Sequence, residues 1–475
     1  MMNDLKALEN AIFKKRPLLQ EVLAKWDSVS LYEYAQTFSK PLKAVPGSIK
    51  NEFIAAITEE VSFLWGNKEA EGIRKDLENN YTVSTADHHG PLTHPFFVHS
   101  NLLAGSVNME TKNIITLSCS NVSLNNSSYP RGFLVHDLNE RLKINLFRDS
   151  EKHFPVYSCR PINKEDIARA SKIKNKRIES FIKDLLDRPE VINKKRWGEQ
   201  VSVINNILWE KMFGGSLKSS LRYLELEKIA SELISKHHIN TPTIINKIIF
   251  DPETRKIFTS NFNNPTGILK DDTGTTLFWY LPKDSGLRVA LSLADNALVS
   301  HDKKYKISLE QGTIKELLDS KEIIPNTIFS LLILSAYYGV KCLGGFSQIA
   351  YLTEAQKKYN ELFMNGASDT AEHTQTLCAD LSIGFLDHNN TWTSATGVDL
   401  CMHTKPHSWN NFINAAKTLT LREAVYPIFP DLYTILYSPS ERNPKLAEIT
   451  ASDIIIELNL KSKVRAVAWI ENETN

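Results

Sequence analysis

At 475 residues and 42% apolar, with a mean hydropathy of −0.27, the chain has enough apolar mass for one large core or two ordinary ones. Lysine and arginine number 56 against 55 acidic residues, so no global field draws the chain to nucleic acid or an acidic membrane, and a small-molecule substrate is the expected partner. The most apolar run, residues 328–340, falls short of the roughly 20 residues needed to cross a bilayer, which excludes a membrane span.

The five cysteines, Cys119, Cys159, Cys342, Cys378 and Cys401, are odd in number and never spaced as CxxC, so they read as reduced thiols. The N-terminus, MMNDLKALENAIFKKRPLLQ, interrupts every apolar run with charge and offers no signal-peptide stretch. Both features predict a soluble cytoplasmic protein.

Residues 1–80 repeat apolar side chains at helical spacing, as in Leu5, Leu8 and Ile12 and again in Phe53, Ile57, Val61 and Leu64. This is a helical lead-in. Residues 81–162 then alternate strand, polar loop and helix: a strand over 81–86, turn chemistry over 87–91, a helix over 95–107, a second strand over 113–119, and further strands near 133–135 and 142–147. Such β-loop-α repetition predicts an α/β fold, the first part of a Rossmann-like core with a parallel sheet.

Residues 163–240 read as a helical segment, opened by the capping box Asn163-Lys-Glu-Asp166 and continued by helices near 197–213 and 220–238. Over 241–310 the pattern changes. KIIFDPETRKIFTSNF reads as a hairpin around Asp251-Pro-Glu-Thr254, and TTLFWYLPKDSGLRVALSL repeats the device, which predicts a small antiparallel β insert. Residues 311–475 are expected to complete the core and end in a helical region, with a capping box at Thr313-Ile-Lys-Glu316 and Gly344-Gly345 after the buried run.

The densest chemical signal is TVSTADHHGPLTHPFFVH, residues 82–99, which holds Asp87, His88, His89, His94 and His99, four of the chain's 13 histidines. Ligands of parallel sheets bind at the carboxyl ends of strands, where the next helix offers free N–H groups. Histidine there can move protons near neutral pH, and aspartate can fix its tautomer, so Asp87, His88 and His89 are the expected catalytic residues. The loop after the second strand supplies hydroxyls and amides, giving Ser118, Asn121, Asn126 and Arg131, with His94, as candidate substrate binders. Metal binding is the other reading of the histidines, with His88, His89 and the C-terminal His403 and His407 as candidate ligands. No GxxxxGK[ST] loop and no convincing GxGxxG occurs, so the cofactor is left unknown.

From about residue 275 to 363 the order of features resembles the bacillithiol synthase family, the cysteine-adding enzymes. The resemblance lies in TTLFWYLPKDSGLRVALSL, YKISLEQGTIKELLDSKEIIPNTIF and YYGVKCLGGFSQIAYLTEAQKKYNELF, above all in Gly344, Gly345 and the Ala-Tyr that follows. It implies a Rossmann-like core, a reaction joining an amino acid to a small polar acceptor, and Gly344, Gly345 and Gln348 as further substrate contacts. This chain departs from the family where Leu331-Leu332-Ile333-Leu334 replaces an arginine-proline pair, where Phe346-Ser347-Gln348 lacks a proline and an acidic residue, and where Asp87, His88 and His89 replace glutamines. After Phe363 the sequence does not read as the coiled coil through which that family dimerises, so a homodimer is left open.

The expected function is therefore a small-molecule biosynthetic enzyme, of ligase or transferase type, condensing an amino acid or other carboxylate with a small polar acceptor through a C–N bond. A metal-dependent hydrolase or lyase and a non-catalytic small-molecule-binding relative are the alternatives.

Overall fold

The structure is a computed structural model that describes residues 2–39, 45–107, 112–137, 140–170, 173–213, 219–262, 275–364, 384–386, 392–403 and 409–460. The strands, in chain order, are β1 (Thr82–Ser84), β2 (Asn113–Ser118), β3 (Gly132–Asp137), β4 (Glu140–Asn145), β5 (Ser220–Glu225), β6 (Phe278–Tyr280), β7 (Leu291–Ala294), β8 (Ala297–Ser300), β9 (Lys306–Ser308), β10 (Ile323–Pro325), β11 (Lys341–Leu343), β12 (Gly384–Leu386) and β13 (Trp392–Ser394). Four of them, β5-β2-β1-β11, form a parallel sheet within a mixed α/β fold. In order of appearance these are its third, second, first and fourth strands, so the winding direction reverses between β1 and β11.

Side chains alternate across this sheet into two cores. Ile114, Leu221, Tyr223 and Leu343 face one core, with helices Pro95–Val107 and Trp197–Phe213 and most of the C-terminal helices. Val83, Ile115, Leu117, Leu224 and Cys342 face the other, with helices Gly47–Trp65, Asn67–Asn79 and Leu226–Leu233. The period-2 geometry of a strand thus gives a sheet covered on both faces. Among the described residues no helix is long and apolar enough to cross a membrane.

Helices Pro95–Val107 and Trp197–Phe213 lie where their periodicity predicts, and Asn163 and Asp166 form the expected reciprocal cap. Three readings need correction. First, the stretch read as a helix from residue 220 begins instead with β5, and β3 and β4 pair with each other as an antiparallel hairpin outside the parallel sheet. Second, residues 247–262 are helical rather than a hairpin: Ile244–Phe250 ends at Asp251, and Pro252–Phe262 begins at once. Asp-Pro acts here as a helix start, with proline in the first turn and the Asp251 carboxylate accepting from Thr254 N–H at 2.8 Å and from its hydroxyl at 2.6 Å. Asp251→Ala is accordingly expected to cost about 1 kcal/mol in urea denaturation; a change below a few tenths would show that the cap contributes nothing. Among the described residues the strands of the β insert begin at Phe278. Third, the helix near Thr313 starts earlier, at Gln311, with Glu310 before it and no side-chain cap.

The segment after β1 does not turn away from the sheet. It keeps pairing with β2: His88 bridges Cys119 in parallel, Cys119 N–H donates to Asp87 O at 2.9 Å, and His89 N–H donates to Cys119 O at 2.7 Å. This fixes Asp87, His88 and His89 at the carboxyl ends of β1 and β2.

Candidate functional site

The three consecutive polar residues have three different environments. Asp87 is fully buried beneath the loop. Its carboxylate accepts from Ser100 Oγ at 3.1 Å and from Asn101 Nδ2 at 2.8 Å, and Asn101 in turn accepts from Thr116 Oγ1 at 2.7 Å. Burial, only partly offset by these bonds, pushes its carboxyl up to about 7. These bonds tie the loop to helix Pro95–Val107, and Asp87 is bonded to neither imidazole. Its expected role as the orienter of a histidine is replaced by one as an anchor.

His89 is sealed inside. Its Nε2 lies 2.9 Å from the Gly198 carbonyl and its Nδ1 lies 2.7 Å from Ser118 Oγ. A carbonyl only accepts, so Nε2 carries the proton and Nδ1 accepts from the serine hydroxyl. Burial holds the ring below the usual histidine pKa. With both nitrogens committed, neither His89 nor Ser118 has an atom to offer a ligand.

His88 is half-buried, and one of its nitrogens is bare. Nδ1 lies 2.9 Å from Asn126 Oδ1, which also accepts from Ser128 N–H at 3.0 Å. That oxygen can only accept, so Nδ1 is the protonated nitrogen and Nε2 holds a lone pair. Among the described residues Nε2 has no hydrogen bond. Burial lowers the ring's pKa, which keeps it neutral near pH 7. Tyr223 Oη fixes the backbone by donating to the His88 carbonyl at 3.0 Å. Asn126, expected to bind substrate, instead sets the tautomer of His88, and through it the position of the bare nitrogen.

Two residues beyond the Cys119 bridge, Asn121 donates through Nδ2 to Thr327 Oγ1 at 2.9 Å, and its carbonyl accepts from Arg288. The half-buried Arg288 guanidinium stacks on Trp279 at 4.4 Å and makes no ion pair among the described residues. Glu227, just past β5, accepts from Ser120 N–H at 2.7 Å and from Ser120 Oγ at 2.8 Å through Oε2, whereas its buried Oε1 has no partner among the described residues. Burial pushes this carboxyl up to about 7 as well.

Arg131 is not the anion fork its sequence position suggests. Its guanidinium turns onto the Phe147 carbonyl and the Asp149 carboxylate, each 3.4 Å away. His94 stacks on Phe96 and Phe97, and its Nδ1 accepts from Phe96 N–H at 3.3 Å at the start of the following helix. Gln348 and Gly344 do meet, at the end of β11. Among the described residues no three His, Cys, Asp or Glu side chains gather as a metal-ion ligand set; His407 and the His403 side chain lie outside the described residues.

Arg288, Glu227 and Thr327 were missed from sequence. Glu227 could have been found had SLRYLELE been read as a strand running into a helix, which puts its acids at a strand end. Arg288 carries no such signal, because it is brought to the sheet by the distant β insert. No protein-family model matches the chain, and no curated protein matches it.

Proposed function

We propose that this chain is a small-molecule biosynthetic enzyme with a Rossmann-like core. It binds an amino acid or another small carboxylate at the carboxyl ends of β1 and β2 and joins it to a small polar acceptor by forming a C–N bond. The observation that carries this reading is the placement, along one strand end, of an imidazole with a bare Nε2 and a guanidinium that makes no ion pair among the described residues, with Glu227, whose carboxyl burial pushes up to about 7, close enough to act on its charge. His88 bridges Cys119, and Arg288 holds the carbonyl of Asn121, two residues on and at most about 7 Å of chain away. Arg288 suits a carboxylate, which its planar fork matches with two hydrogen bonds. His88 suits the acceptor: as its amine attacks the carboxyl carbon, Nε2 takes the proton that the nitrogen sheds and passes it to the departing carboxyl oxygen, so that the C–O bond breaks and water leaves, carboxylate plus ammonium giving amide plus water overall.

Screening amino acids and small dicarboxylates for thermal stabilisation tests the reading, because a ligand at 100 times its Kd adds about 2.7 kcal/mol. Arg288→Ala is expected to weaken the best carboxylate about 10- to 100-fold, the loss of a charge-assisted hydrogen bond. Unchanged affinity in that variant would remove the carboxylate from this site. A second reading, binding without turnover, is favoured by the absence of any bond between Asp87 and His88, which leaves the base without a carboxylate behind it. Consumption of the bound ligand during incubation separates the two.

A further inference from the structure

Three consecutive residues just past β2 each engage a different ionisable group. His88 bridges Cys119, the Glu227 carboxyl holds Ser120, and Arg288 holds the carbonyl of Asn121. Cys119 N–H donates to Asp87 O on the β1 side, whereas Ser120 N–H donates to Glu227, which follows β5. The imidazole and the Glu227 carboxyl therefore flank one strand end from opposite sides. Two carboxyls are fully buried at this edge of the sheet, and only one has an oxygen to spare. Asp87 has a donor on each oxygen, Ser100 Oγ on Oδ1 and Asn101 Nδ2 on Oδ2. Glu227 takes both of its donors, Ser120 N–H and Ser120 Oγ, on Oε2, and Oε1 has no hydrogen-bond partner among the described residues.

An acid proton sits on the oxygen that is not already accepting, so neutral Glu227 carries it on Oε1. Burial favours that neutral form, pushing the carboxyl up to about 7 against the pull of Ser120 and of Glu227's own N–H, and the charge of Glu225 pushes the same way. Arg288, Cys119 and Tyr157 are the other ionisable groups that act on it; Arg288 favours ionisation, and burial keeps the thiol and the phenol neutral. We propose that Glu227 is the general acid of the site, its Oε1–H protonating the carboxyl oxygen that departs while His88 serves as the base. The role rests on the condensing function proposed above. Arg288 holds the substrate carboxylate, and one of its oxygens leaves as water, which takes two protons. One reaches that oxygen from the attacking nitrogen through His88 Nε2, and the other comes from Glu227. The C–N bond forms, the C–O bond breaks, and Glu227 regains its proton from the ammonium that becomes the attacking amine, or from solvent where the amine enters neutral. Near pH 7 the imidazole is neutral and the carboxyl protonated, each in the form its task needs.

The test follows hydroxamate formed by the full chain from hydroxylamine and either succinate or L-glutamate, at pH 6, 7, 8 and 9, with circular dichroism to verify folding. Wild-type kcat is expected to fall as pH rises above 7, where Oε1 loses its proton. Glu227→Gln should lower kcat at pH 6 by about 100-fold or more, leave KM for the carboxylate within about threefold, and abolish the decline above pH 7. A merely structural role would leave that decline in place. Hydroxamate formed by folded Glu227→Gln at the wild-type rate overturns the acid while the condensing function stands. A wild-type kcat that does not decline above pH 7 also overturns the acid, and that result needs no variant to fold. No hydroxamate from wild type with either carboxylate overturns the function and this role together.

Discussion

His88→Ala is expected to lower turnover of the carboxylate substrate by about 100-fold or more while leaving the denaturation midpoint nearly unchanged, and His89→Ala is expected to do the reverse. The two rings are neighbours in sequence and opposite in situation. His88 is half-buried and makes its ring bonds to a polar loop, so its removal leaves Asn126 Oδ1 still bonded to Ser128. Little folding energy is lost, but the bare nitrogen of His88 goes. His89 is fully buried, stacks near Tyr223 with ring centroids 5.4 Å apart, and satisfies both the Gly198 carbonyl and the Ser118 hydroxyl. Truncating it opens a cavity, at a cost of roughly 2–4 kcal/mol, even though the Gly198 carbonyl keeps Ser202 Oγ at 3.2 Å and the Ser118 hydroxyl keeps the Leu224 carbonyl at 3.1 Å. Urea denaturation and initial rates on the same two variants decide the matter. Turnover by His88→Ala within about threefold of wild type would rule out the base, and an unchanged midpoint for His89→Ala would rule out the structural role.

This contrast marks how far the sequence could be read. The cluster at residues 82–99 was visible because polar residues stand between an apolar strand and an apolar helix, and that junction is local. Which of its residues faces ligand depends on the continued pairing of the loop with β2, a nonlocal contact that composition does not encode. The strand β5 was hidden for a related reason. Its residues from Leu221 to Glu225 are all buried, so no alternation marks a strand, and Leu226 begins a helix with no glycine or proline between them. Strands β1 and β11 are three residues long, which gives them too little sequence to show a period. Asp251-Pro252 carries turn chemistry in either reading, and only packing decides between a hairpin and a helix start. Arg131 and Arg288 make the same point from the other direction: the arginine next to the site in sequence is spent on Asp149, and the arginine that reaches the site comes from 167 residues beyond Asn121.

Glu227→Gln is expected to raise stability at pH 8 and to lower it modestly at pH 4, because the cost of Glu227 arises only where the carboxyl is ionised whereas a buried unpaired amide costs the same at every pH. A buried acid whose folded pKa is raised binds its proton more tightly folded than unfolded. Its contribution is therefore fully present below the unfolded value of about 4.3 and is lost as pH rises through the folded value of about 7. At roughly 1.4 kcal/mol per unit, the loss by pH 8 is of order 3 kcal/mol. Glutamine removes the ionisation but keeps an oxygen for Ser120 N–H and Oγ; its amide nitrogen replaces an oxygen that already has no partner. Burying that amide unpaired takes back part of the gain, so about 1–2 kcal/mol should remain. Asp87 adds a loss of the same sign over the same range. The buried histidines act oppositely: with folded pKa values lowered, to about 3 for His238, they lose stability as pH falls below about 6.5, where the unfolded state takes up the proton. Wild-type stability should therefore vary little between pH 4 and 7 while both trends run together, and the difference between Glu227→Gln and wild type isolates the carboxyl. Paired urea denaturation curves at pH 4, 6 and 8 measure it. A gain equal at all three values would mean that the substitution acts through packing, and a loss at pH 8 would mean that the ionised carboxylate has a partner that holds it in the folded chain.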